Sequence, residues 1–208
     1  MTEYTRLEES NFLNWDCLVK VDKYSLDQVR WVKRKTGLTN PSAEVLRETL
    51  KSLPSETAYG RGNLITTVGL GYLWSSITGV TTTVVAHQLS YSFLPVGVGD
   101  GNGSVPTAAV GDVDLTAATN KYYVPVDASY PQVGSGVSAG VLTVQATFGT
   151  SVANFAWNEW GFFGTTAPFT SSQATTPSNS YMINHKGVSL GTKTGSNIWV
   201  LSATITLS

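Results

Sequence analysis

Glu159 sits in FAWNEWGFF, residues 155 to 163, between Trp157 and Trp160, and is the only glutamate after Glu56. A carboxylate buried without a partner among indoles has its pKa raised, which is how a general acid is made. Glycoside hydrolysis, one reaction such an acid could serve, needs a second carboxylate about 5–10 Å away. The acids available beyond residue 62 are Asp100, Asp112, Asp114 and Asp127, all in turn-like contexts. The only histidines are His87 and His185, and Cys17 is the single cysteine. Zinc would need more Cys, His or carboxylate ligands at coordinating spacing, and a nucleophile–base pair would need a serine in an exposed elbow; no G-x-S-x-G occurs. VGVGDGNGSVP, residues 96 to 106, starts like a calcium hand at Asp100, Asn102 and Ser104. It has Val105 where the loop needs glycine and Gly111 where it needs a bidentate glutamate. Nor does it carry the Gly-Lys-Ser/Thr of a phosphate loop. It reads as a turn, with at most a weak cation site together with Asp112 or Asp114. No catalytic set, metal site or cofactor is expected.

Glu159 therefore needs a structural reading. Strict strand alternation puts Phe155, Trp157 and Glu159 on one face and Ala156, Asn158 and Trp160 on the other, unless a bulge at Asn158 or Gly161 resets the register. Phe155, Trp157, Trp160 and Trp199 are expected in the core. A buried Glu159 then needs a partner, with Lys186, Lys193 or backbone N–H groups available. If the aromatics were exposed, Trp157, Trp160, Trp199, Tyr122, Tyr123 and Tyr130 could instead stack on sugar rings.

The elements that would position these residues come from periodicity. Val85, His87, Leu89, Tyr91 and Phe93 alternate with smaller or polar residues, as do Leu142 to Phe148 and Trp199 to Leu207; His87 falls on the inner face of its strand. Strands with one wet and one dry face are antiparallel, and their dry faces must meet another layer. The expected fold is mainly β, an antiparallel β-sandwich of jelly-roll-like type. Charge divides the chain: residues 1–62 hold 10 of the 13 Lys and Arg and 9 of the 14 Asp and Glu. That segment is expected to be a helical docking module, and residues 63–208 the sandwich domain. SLDQVRWVKRKTG predicts a helix with a Ser25–Gln28 capping box, basic residues in its last turn and Gly37 as its stop. PSAEVLRETLKSL predicts a second, with Asn40 as cap, Pro41 at the first position and Val45, Leu46, Leu50 and Leu53 inward. NLITTVGLGYLWSSITG predicts a third. Two short helices cannot bury enough surface alone and must dock on something.

The net charge of −1 supplies no field to gather nucleic acid or anionic lipid. MTEYTRLEESNF places acids where a signal peptide needs a basic start, and no run approaches the roughly 18 apolar residues of a membrane span. Synthesis in a cytoplasm, with neither nucleic acid nor membrane as partner, is the expectation.

GNLITTVGLGYL, VGVGDGNGSVPTAA, VLTVQATFGTSVANFAWNEWGFF and MINHKGVSLGTKTGSNIWVLSATITLS are similar, in that order, to a group of tailed-bacteriophage virion proteins. The resemblance covers about residues 60 to 208. It resembles tail-fibre bases, minor tail proteins and head-surface proteins, and so implies a non-enzymatic part of the virion without placing it on tail or capsid. It also implies that Glu159 and Lys186 form a fold-stabilising pair, although the pattern usually has Arg or Lys where His185 stands. A charge-poor Ser/Thr/Gly/Val-rich body suits a symmetric assembly, with a homotrimer favoured. The N-terminal segment would then dock on another virion protein through Phe12, Trp15, Val29 and Trp31, because aromatics dominate interface energetics. A host surface glycan is the other candidate partner.

Overall fold

The computed structural model of the protein describes residues 15–62, 64–78, 91–136 and 140–207. Its strands form two five-stranded sheets in which every paired neighbour is antiparallel. The first sheet has the order β2 (Glu56–Arg61), β1 (Trp15–Tyr24), β10 (Ile198–Leu207), β7 (Val141–Phe148) and β6 (Gln132–Val133). The second runs β3 (Leu64–Ile65), β9 (Ser180–Thr192), β8 (Ala156–Thr165), β4 (Pro95–Gly99) and β5 (Lys121–Pro125).

Period-2 patterning explains why the sheets meet. Val19, Val21, Val144, Ala146, Leu201, Ala203 and Ile205 from the first sheet share one buried cluster with Val96, Val98, Trp157, Trp160 and Phe162 from the second. Trp157 lies edge-on to Phe148 at 4.6 Å and to Trp199 at 4.8 Å, so the indoles sit where the two sheets face each other. Burial of an aromatic of this size removes roughly 200 Å² from water, worth on the order of 5 kcal/mol as an upper figure.

The division at residue 62 does not separate helices from sheet. β1 pairs with β10 along its whole length, from Trp15 opposite Leu207 to Tyr24 opposite Ile198, and β2 pairs with β1. The charge shift marks exposure instead: the helices between these strands lie on the outer face of the first sheet. Helix α1 (Leu26–Thr36) carries the capping box of Ser25 and Gln28 and ends on Gly37 at φ 73°. Helix α2 (Ala43–Leu50) starts later than expected, because Ser42 is its cap and accepts from the Val45 N–H. Asn40 and Pro41 precede the helix. Val29 and Val32 of α1 and Ala43 and Leu46 of α2 close over Tyr24, Ile198 and Val200. Val45 and Leu50 pack at the edge of that cluster, whereas Leu53, expected inward, lies past the end of α2 and is exposed.

Helix α3 (Thr67–Thr78) follows β3 and packs on β9, its N–H of Gly69 held by the Thr66 hydroxyl at 2.9 Å. Gly69 weakens helix propensity but allows contact here: a Cβ at this position would sit 2.4 Å from the Ile183 carbonyl oxygen. The strand expected from Val85, His87 included, falls largely outside the described residues. Its last part, Tyr91–Phe93, is a turn of 3-10 helix.

Candidate functional site

The position of Glu159 follows from a defect in the ladder. β8 and β9 pair Trp157 with Gly191 but Glu159 with Gly187, so the register slips around Asn158. The slip turns both Trp157 and Trp160 into the shared core and sends Glu159 to the opposite face, under the segment that links β4 to β5. Asn158 donates to the carbonyl of Asp100 at 3.0 Å, which fastens the bulge to the same segment.

The Glu159 side chain has no solvent exposure and every partner is a donor. Oε1 accepts from the N–H of Gly101 at 3.2 Å and of Ala117 at 2.7 Å; Oε2 accepts from the N–H of Thr116 at 2.8 Å and meets His185 Nε2 at 2.8 Å. His185 is equally buried, and its Nδ1 lies 2.5 Å from Oδ2 of Asp112. That carboxylate also accepts from the N–H of Ala109 at 2.7 Å. With a carboxylate oxygen on each ring nitrogen, both nitrogens donate and the ring is an imidazolium. Burial alone would lower the His185 pKa, but the hydrogen bonds and charges of Glu159 and Asp112 raise it above its ordinary value. Burial alone would raise that of Glu159; His185 and the N–H groups of Thr116 and Ala117 hold it below the ordinary range.

Lys186, the partner that the resemblance implied, is not the partner of Glu159. It stands opposite Trp160 in the ladder, and alternation aims it at the other face, whereas His185 stands opposite Gly161 on the face of Glu159. Lys193 goes elsewhere too. Its buried ammonium donates to the carbonyls of Gly149 and Val152 and to Asn154, and burial lowers its pKa to about 8. The backbone N–H groups do bind Glu159. Lys23, also nearly buried, lies 4.6 Å over the Trp199 ring and pairs with Glu56.

Bare backbone lets the covering segment lie close. A Cβ at Gly99 would meet Glu159 Oε1 at 2.5 Å, and one at Gly187 would meet the Pro106 carbonyl oxygen at 1.8 Å. Farther along, Asp114 accepts from Lys121 at 2.6 Å, from the Leu115 N–H, and from the hydroxyls of Tyr123 and Thr176. Burial opposes its ionisation, yet these donors keep its pKa below the ordinary value. Asp100 is a turn residue that accepts from the Asn102 N–H at 2.9 Å and from Asn120. Among the described residues no group of three His, Cys, Asp or Glu could hold a metal ion, and His185 has no lone pair free for one.

The assembled site is a clamp. Three charged groups and three backbone donors join residues 101–117 to the second sheet, and the glutamate side chain itself has no solvent exposure. The sequence picks out Glu159 by its isolation, but not Asp112, which is 73 residues from His185 and meets it only through the covering segment.

The other candidate residues divide. Trp157, Trp160 and Trp199 are buried and Phe155 is half-buried against them. Tyr123 is buried with Phe163, Met182, Leu115 and Phe169, away from any stacking surface. Of the docking candidates, Val29 is buried between α1 and the first sheet and cannot meet a partner. Trp31 remains 39% exposed on α1, with Lys35 over its ring. Phe12 and the side chain of Trp15 lie outside the described residues. No family model, curated protein or solved structure matches the chain.

Proposed function

We propose that this protein is a non-enzymatic structural component of a tailed-phage virion. In this reading the two sheets form a jelly-roll-like sandwich that assembles as a homotrimer, tail- or fibre-associated, and attaches to a neighbouring virion protein through its N-terminal region. The observation that carries it is the fate of Glu159. The carboxylate that the sequence marked for acid–base chemistry has no solvent exposure and is bonded on both oxygens in a clamp, which supports a shape-holding role. The resemblance over residues 60–208 supplies the virion setting. Leu70 and Trp74, 41% and 60% exposed on the uncharged helix α3, supply apolar surface of the kind that subunit contacts cover. Trp31 on α1 is the remaining described anchor for the neighbouring protein.

Light scattering on the full chain after size exclusion tests the assembly. The expected mass is three times that of the chain, and Trp74→Ser should shift it toward monomer. A folded chain that stays monomeric at micromolar concentration overturns the trimer. Immunolabelling of purified particles tests the setting; particles that carry no label overturn it.

A further inference from the structure

The two helices cover only part of the outer face of the first sheet. Beyond α2 this face turns polar, with Gln145 of β7 opposite Ser202 of β10. There the N-cap and first turns of α2 (Ser42, Glu44 and Arg47), the turn between β5 and β6, and β7 enclose a concave pocket of about 380 Å³. This is at the lower end of the ~300–1,000 Å³ of small-molecule sites. Its floor is ordered before any ligand arrives. Arg47 donates to Gln145 Oε1 at 2.6 Å; Gln145, only 3% exposed, donates from Nε2 to Asp127 Oδ2 at 2.7 Å; Thr147 binds the same carboxylate through its hydroxyl and N–H at 2.9 and 3.1 Å. The turn is tied to this floor by the Asp127 N–H on the Gln145 carbonyl at 2.8 Å. Burial pushes the Asp127 carboxyl up despite these bonds.

The lining selects a ligand class. One cation, Arg47, stands with two acids, Glu44 and Asp127, so phosphate or sulfate finds no net positive charge. Hydroxyl, amide, guanidinium and carboxylate groups line the wall together with the aromatic Tyr130. Alternating donors and acceptors beside one aromatic ring match a sugar, whose hydroxyls both donate and accept and whose C–H face is apolar. We propose that this pocket, between α2, the β5–β6 turn and β7, is a binding site for a neutral mono- or disaccharide unit. Arg47, Asp127 and Gln132 supply the polar contacts and Tyr130 the apolar one. This site is independent of the Glu159 clamp and of the proposed oligomer.

The test is a titration of the isotope-labelled full chain with neutral hexoses, N-acetylhexosamines and their disaccharides, followed by amide shifts. A second arm uses polysaccharides that carry the same units. Saturable shifts confined to residues 42–47, 127–132 and 145 are expected, and the arm that saturates first tells a free sugar from a surface glycan. Arg47→Met should weaken binding about tenfold, the equivalent of ~1.4 kcal/mol. Gln132→Ala, at an exposed edge position, should also weaken it and keeps the test usable should Arg47→Met unfold. The site is overturned if no sugar in either arm shifts these amides, if the shifts map elsewhere, or if both folded variants bind as well as the parent.

Discussion

Glu159 and His185 are bonded to each other with no solvent exposure of either side chain, so replacing one removes a partner from the other, although Asp112 still meets His185 and three backbone N–H groups still face the Glu159 position. Glu159→Gln should destabilise the protein by about 1–3 kcal/mol, the range for a buried group that loses one partner, since Asp112 still pairs with His185; it should appear as a fall in thermal midpoint with the secondary structure kept below it. A loss under about 1 kcal/mol would show that the clamp contributes little. The pH dependence follows from the same contacts. His185 has its pKa raised from 6.5, so its contribution is complete below 6.5 and is lost as pH rises through the folded value. Glu159 has its pKa lowered from 4.5, so its contribution is complete above 4.5 and is lost as pH falls through the folded value. Urea midpoints should therefore be highest between these two limits and fall on both sides, and Glu159→Gln should flatten both slopes. Lys193 acts in the opposite sense at high pH. Its folded pKa of about 8 lies below the ordinary 10.5, so stability is regained as pH climbs across that interval. Lys193→Met should remove that recovery. That Glu159 would need partners is legible from its isolation among aromatics; that an imidazolium supplies one is not, because it depends on a register slip that no local pattern announces.

The helices show what local chemistry settles. α1 starts and stops where its capping box, basic last turn and Gly37 place it, since those signals act within one turn of the chain. α2 was displaced because two acceptors competed for its start, and Ser42 lies next to the first residue that turns. Ser42→Ala should cost about 1 kcal/mol and Asn40→Ala less, read as urea midpoints; equal losses would restore Asn40 as the cap. In α3 the sequence signal is ambiguous for a tertiary reason. Gly69 looks like a defect in a helix, yet Gly69→Ala should destabilise strongly because the methyl group would strike the Ile183 carbonyl. A helix read alone gives no view of the strand it lies on.

For the whole molecule the difference between charge segregation and domain structure matters most. Residues 15–24 lie between β10 and β2 in the first sheet, so removal of residues 1–62 deletes two strands and bares β10 along its length. Such a truncation should give aggregated or unfolded protein by circular dichroism and gel filtration. A soluble, cooperatively melting product would show that residues 63–208 fold alone after all.

Periodicity and caps were enough, from the sequence alone, to specify a mainly β body and the two N-terminal helices. These properties arise from neighbours a few residues apart. The pairing of the first described strand with the last, the slip around Asn158, the imidazolium between Glu159 and Asp112, and the polar pocket beside α2 were decided by the tertiary structure. Each joins groups that are distant along the chain, and only the folded backbone sets which of them meet.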